Sequence, residues 1–393
     1  MNIHDNIKVL NIQGSVKLRD TKEKFIAGNL TFCWPYKWES DLSIWQTLVD
    51  NVVDNVINYV NQRLNVNDTS RLISLIEDAT WMAIFTISES WRKVALDNDL
   101  IFRKIVLYVV HFYMLYVLDD VAEKMVGHEG HASFVKTCGR LLQKIYMLEF
   151  PNINALKEHP YTQSLSVSPN FNEKYVIVFF DVVEDLKTLV YVTPATMKYL
   201  ASSMRYVFEL QTWYGSEKCS HLLDSSLRHD LRSYVIGYDV LVEFVLVVYE
   251  IQASSKVRES FYWDRLYRSG RKLGYLLNDI FSIRKELQEF LIDGKRIDNG
   301  ILLGMETDNL TFEESLQIQL NHHNALVLQF RMECQGALTE DDVTFDMDDN
   351  DRGIFIQSLD CLTTMLSHLI QTHLKMERYK TDVTCRFKHY CAK

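Results

Sequence analysis

From Leu42 onward, apolar residues recur every three or four positions, and this period constrains the fold more than any other feature of the chain. Trp45, Leu48, Val49, Val52, Val53, Val56, Ile57 and Val60 set the first run. A second run covers 72–96 and carries Trp81, Phe85 and Trp91; a third covers 100–124 and a fourth 133–149. Further runs cover 173–191, 195–216, 224–251, 257–292, 311–335 and 353–379, with Gly237 expected to break the one at 224–251. Only 5 prolines and 14 glycines interrupt 393 residues, which favours long helices over a sheet-rich fold with many tight turns. The stretch 151–172, with Pro151, Pro160 and Pro169 among Ser and Asn, reads as a connection. Residues 1–40 read as an extension that straps onto the domain, with Phe32, Trp34, Tyr36 and Trp38 around Pro35. Residues 339–352 read as an acidic loop, and no internal repeat occurs. The expectation is an all-α protein with one helical domain over 41–393. Its most apolar helices lie at the centre of the bundle, where helical proteins build metal and cofactor sites.

Charge and cysteine usage remove several classes of function. The formal net charge is −10 and no Lys/Arg-rich run appears, so nucleic acid is not an expected partner. A polyanionic ligand would need local help from metal ions or placed basic side chains. Seven scattered cysteines without a CxxC pair read as free thiols in a reducing compartment. The first residues lack a basic-then-apolar signal pattern. The apolar run Ile105 to Leu118, 14 residues including His111, is too short to span a bilayer. A cytoplasmic protein with no transmembrane segment is expected.

Two stretches carry chemistry. The helix expected at 100–124 is apolar and aromatic until it reaches Asp119, Asp120 and Glu123. Asp119 and Glu123 are i and i+4, so they share a face and repel unless a cation lies between them. Hard oxygen ligands of this kind suit Mg2+, which is held by one or two carboxylates, waters and substrate phosphate. Later, Asn278, Ser282 and Glu286 stand at i, i+4 and i+8 beside Leu273, Leu276, Leu277, Ile280 and Phe281. One helical face thus carries an amide oxygen, a hydroxyl and a carboxylate. Asn and Ser are poor interior helix formers, so two of them in line on an apolar helix call for a partner. The string Asp346-Met347-Asp348-Asp349 offers the DxDD pattern of an alkene-protonating acid, but it lies within the acidic loop and reads as solvated. No phosphate-binding glycine loop and no zinc-spaced His/Cys cluster occurs.

Asn278-Asp279-x-x-Ser282-x-x-x-Glu286 resembles the second metal motif of class I terpene synthases, and Asp119-Asp120-x-x-Glu123 resembles their aspartate-rich first motif. Glu123 stands where Asp is commoner in that family. The resemblance covers about residues 42–380 and is nearest to single-domain, bacterial-type members. It implies a helical bundle around a central active-site cavity. Asp119, Asp120, Glu123, Asn278, Ser282 and Glu286 would be the metal set, holding about three Mg2+ ions, with Mn2+ as the alternative ion. Arg232, 46 residues before Asn278, matches the diphosphate-sensing Arg, and Gly237 the glycine where the helix breaks. Lys285, Arg378 and Tyr379 match basic and hydroxyl groups that close on the diphosphate. Phe85, Phe112 and Tyr116, with Trp81, are candidates to line the cavity, where aromatic faces stabilise cations.

The function so implied is Mg2+-dependent ionisation and cyclisation of a linear prenyl diphosphate, farnesyl or geranylgeranyl, to a cyclic sesquiterpene or diterpene with release of diphosphate. The two acidic helices are expected to face each other across the bundle mouth. The rival readings are a chain-elongating prenyl diphosphate synthase and a non-catalytic helical binding protein. A homodimer is left open.

Overall fold

The computed structural model describes residues 8–17, 25–34, 42–64, 69–125, 130–168, 171–214, 225–293, 299–339, 347–376 and 388–390. The chain divides into two compact units, Asp41–Gln252 and a second made of Met1–Ser40 with Ala253–Lys393.

The unit at Asp41–Gln252 opens with a 3-10 turn, Leu42–Trp45. It continues through α1 (Gln46–Leu64), α2 (Thr69–Thr86), α3 (Glu89–Val94), α4 (Asp99–Lys124) and α5 (His131–Tyr146). Then come α6 (Ile153–Glu158), α7 (Pro160–Ser166), α8 (Lys174–Leu189), α9 (Pro194–Tyr214), α10 (Ser225–Val235) and α11 (Tyr238–Val248). The helix α4 packs against α1, α2 and α8, and α11 packs against α9 and α4. From Ile105 to Leu115 every side chain of α4 is buried, so this helix is enclosed on all sides.

Local chemistry explains where this unit departs from the sequence-based expectation. The run expected over 72–96 is cut at Ser88, whose extended backbone (φ −63°, ψ 150°) ends the helical path. Its hydroxyl accepts from the Trp91 amide at 3.4 Å and starts α3. The stretch 151–172 is a pair of short helices rather than a bare connection. Asn152 Oδ1 accepts from the amides of Asn154 and Ala155 and caps α6. Pro160 occupies the first turn of α7, where a missing N–H costs nothing.

The second unit holds β1 (Lys8–Lys17), β2 (Phe25–Trp34) and β3 (Lys388–Tyr390) in the order β2-β1-β3, all antiparallel. Register runs from Lys8 opposite Trp34 to Lys17 opposite Phe25, and Leu10 stands opposite His389. The helices here are α12 (Ser255–Arg258), α13 (Phe261–Asp293), α14 (Gly300–Thr307), α15 (Phe312–Thr339) and α16 (Asp349–Lys375). The long helix α13 packs against α14, α15 and α16, and β2 lies against α15. The sheet was not expected, but helices build the core of both units and the fold is all-α in class.

The acidic stretch is shorter as a loop than the sequence suggests. Thr339 still belongs to α15, and α16 begins at Asp349. Asp348 caps it by accepting from the Asp351 amide at 2.8 Å, and Asp351 accepts from Ser254 Oγ at 2.7 Å. Acidic side chains in a first helical turn complement the positive end of the helix dipole. That is the role of Asp348, Asp349 and Asp351, in place of proton donation to an alkene. Among the described residues two helices, α4 over Asp99–Ala122 and α16 over Asp349–His373, are long and apolar enough to cross a membrane. Their most apolar windows are 72% and 67% buried within the protein, which marks them as core helices.

Candidate active site

The helix α4 leaves the core where its carboxylates begin. Tyr116 and Val117 are half-buried, Leu118 is buried, and Asp119 and Asp120 are half-buried. Asp119 Oδ1 accepts from Gln211 Nε2 of α9 at 3.1 Å. Glu123 belongs to the last turn of α4, but its side chain lies outside the described residues. Gln211 could not be picked out from the sequence; a polar residue in the last turn of an apolar helix carries no signal of its own.

In the same unit, α10 stops at Val235 and α11 starts at Tyr238. Gly237 between them has φ +78°, ψ 9°, the left-handed region that side-chain-bearing residues avoid. A Cβ there would meet nothing within 4 Å, so the demand for glycine comes from the backbone angle and not from space. Arg232 occupies the last turn of α10 and is half-buried. The break expected at Gly237 thus separates Arg232 from a helix whose residues Tyr238 to Leu246 are all buried.

Of the candidate aromatics of this unit, Trp81, Phe85 and Phe112 sit in its core, and Tyr116 is half-buried. Phe85 is buried and stacks on Trp81, with centroids 5.4 Å apart and an 18° tilt. The Arg92 guanidinium lies 5.8 Å from the Phe85 ring and 4.7 Å from that of Trp45. Phe112 meets Tyr108 edge-on at 5.1 Å. Beside them His111 stacks on Phe244 at 4.4 Å, and its Nδ1 is 2.5 Å from the Tyr146 hydroxyl. Burial pushes the His111 imidazole down to about 3, so the ring is neutral.

The second row lies on α13, in the other unit. Asn278 and Glu286 are half-buried and Ser282 is 3% exposed. Leu273, Leu276, Leu277, Ile280 and Ile283 are buried around them, while Phe281 stacks on His373 of α16 at 5.4 Å. Several buried helical hydroxyls bond back one turn, Thr80 to the Ile76 carbonyl, Ser367 to Thr363 and Thr372 to His368, although Ser358 of α16 also lacks a partner among the described residues. Among the described residues, Ser282 Oγ has no hydrogen-bond partner. A buried hydroxyl without a partner costs free energy, and an oxygen in line with Asn278 and Glu286 is what a hard cation takes. The residues therefore fit a divalent metal.

Asp279, next to Asn278, contacts the start of α14. It is fully buried, and its Oδ2 accepts from the Gly300 amide at 2.8 Å. Lys285 lies in α13 with its side chain outside the described residues, and Arg378 and Tyr379 lie outside them altogether. Among the described residues no three His, Cys, Asp or Glu side chains converge as a metal site. Metal held at the α13 row must draw on amide, hydroxyl and substrate oxygens as well as a carboxylate.

The profile of terpene synthase family 2, C-terminal metal binding, matches residues 112–329, a span that holds both oxygen-bearing rows. The chain belongs to terpene synthase family 2. The synthase resembles solved structures at low identity and high coverage. A single-site variant of cucumene synthase aligns with a TM-score of 0.61 at 12% identity, over 88% of this chain and 99% of that one. Germacradien-4-ol synthase from Streptomyces citricolor aligns at 0.59 and 12% identity, over 84% and 95%. An α-eudesmol synthase aligns at 0.61 and 10% identity, over 83% and 94%. Comparison with curated proteins returned no match. The synthase is thus a class I terpene synthase, a cyclase that takes a prenyl diphosphate and uses divalent metal.

Proposed function

We propose that this synthase ionises farnesyl or geranylgeranyl diphosphate with Mg2+ and cyclises the resulting allylic cation, releasing diphosphate. The observation that carries the reading is Ser282 Oγ, buried without a partner in line with Asn278 and Glu286. In this reading Asn278, Ser282 and Glu286 ligate metal, and Asp119, Asp120 and Glu123 supply the other carboxylates. These residues would hold about three Mg2+ ions, with Mn2+ as the alternative, and bound metal would supply positive charge against the leaving diphosphate.

The chain's own groups do the rest. Arg232, Lys285, Arg378 and Tyr379 donate hydrogen bonds to diphosphate oxygens and hold the leaving group after the C–O bond breaks. The break at Gly237 frees main-chain carbonyl oxygens from the helical ladder, and their dipoles can favour positive charge nearby. Phe85, Phe112 and Tyr116 give an apolar, π-rich lining that keeps water from the cation. The protein works in the cytoplasm, and a homodimer is compatible with every role assigned.

The test is incubation of the purified protein with geranyl, farnesyl or geranylgeranyl diphosphate, each alone, with and without Mg2+, and gas chromatography with mass detection. A cyclic product and free diphosphate that require Mg2+, without added isopentenyl diphosphate, support the reading. Elongated diphosphates formed only with isopentenyl diphosphate would reject it in favour of a chain-elongating enzyme.

A further inference from the structure

Asn299 is fully buried, and its amide is used in three directions. Oδ1 accepts from the Ile301 amide at 2.9 Å and caps α14. Nδ2 donates one hydrogen to the Asp279 main-chain carbonyl and the other to Glu286 Oε2, each at 2.7 Å. The next residue, Gly300, donates its amide to Asp279 Oδ2 at 2.8 Å. The start of α14 is thereby tied to α13 at two points, one beside Asn278 and one at Glu286 itself. Both donors of the amide are spent.

We propose that Asn299 is a positioning residue for the metal-binding row, fixing the Glu286 carboxylate before metal arrives. The inference rests on the reading that Asn278, Ser282 and Glu286 ligate the metal. A half-buried glutamate loses rotamer freedom when it ligates an ion, and a donor that already holds one oxygen removes much of that cost. Groups that orient metal ligands through a hydrogen bond typically carry a 10- to 100-fold share of metal affinity. Asn suits the position because one short side chain supplies the cap acceptor and both donors. Ser keeps the cap acceptor and loses the paired donors; Asp keeps the cap and sets a negative charge against Glu286.

The experiment titrates Mn2+ into the full-length protein with inorganic diphosphate present, reading free Mn2+ by electron paramagnetic resonance. Thermal unfolding of each variant is followed in parallel without metal. Asn299→Ser and Asn299→Asp should weaken Mn2+ binding by about 10- to 100-fold while unfolding stays cooperative, and Asp should be the more damaging. Wild-type Mn2+ affinity in either folded variant overturns the proposal. Should Asn299→Ser fail to fold, the Asp variant, equal in size and equally able to cap, decides the question in its place. Ser282→Ala serves as the reference for the ligand reading. If it binds Mn2+ like the wild type, the ligand assignment fails and the Asn299 proposal with it; if it is impaired while the Asn299 variants are not, only the proposal about Asn299 falls.

Discussion

At the scale of single residues, Ser282 separates function from stability. Its hydroxyl is buried and unpartnered without metal, so removing it relieves a cost where most core polar deletions add one. Ser282→Ala should leave unfolding within about 1 kcal/mol of the wild type, on the stabilising side if anything. Mg2+-dependent product formation should meanwhile fall by about 100-fold or more. Urea unfolding and a product assay on the same preparation check both halves. Asn278 and Ser282 were legible in the sequence because their types are odd for an apolar helix. Asn299 was not, because its role depends on the chain returning to α13 thirteen positions after Glu286. Gln211 was hidden for a similar reason, since its link to Asp119 spans 92 positions. Local pattern reports what a residue is unlike; only the fold reports what it touches.

At the scale of elements, the joint between α10 and α11 is set by one backbone angle. Gly237→Ala introduces no collision but forces a side-chain-bearing residue to φ +78°, at a cost of about 1 kcal/mol. The alternative is a shift of the joint that moves Arg232 relative to α11. A modest loss in unfolding free energy with a larger loss in turnover is therefore expected. Equal turnover in the two proteins would show that the joint tolerates the change. Helices of regular apolar period were legible to within a few residues, as were α8 and α9. The short ones were not. Pro151 and Pro160 signal a break in sequence, yet a proline in a first helical turn is also a beginning, and neighbours such as Asn152 decide between the two. The strands were overlooked although Leu30, Phe32 and Trp34 alternate, because one short alternating run next to a proline also suits an irregular strap.

At the scale of the whole molecule, each unit encloses a histidine held neutral by burial. His111 is pushed down to about 3, and His323 to about 4 with desolvation as the main cause. Well above pH 6.5 both are neutral whether folded or unfolded, and they contribute no pH dependence. Below it the unfolded chain takes up protons that the folded chain refuses, so stability falls on acidification until the folded values are reached. The slope is up to about 1.4 kcal/mol per pH unit for each histidine. Melting temperatures measured from about pH 8 to about pH 4.5 should drop on the acid side of the ordinary histidine value, and the drop should be shallower in His111→Gln. An unchanged slope in that variant would remove His111 as a cause.

The pairing of Val9 with Tyr390 has a bearing on how the protein is made. A ribosome delivers Asp41–Gln252 as an unbroken stretch, so that unit can close while synthesis continues. The other unit joins segments from either side of that stretch: β1 and β2 precede it, and β3 follows it. The β1–β2 hairpin must wait for β3 with one edge uncovered, and a ribosome that stalls between them leaves that edge exposed to strands of other nascent chains.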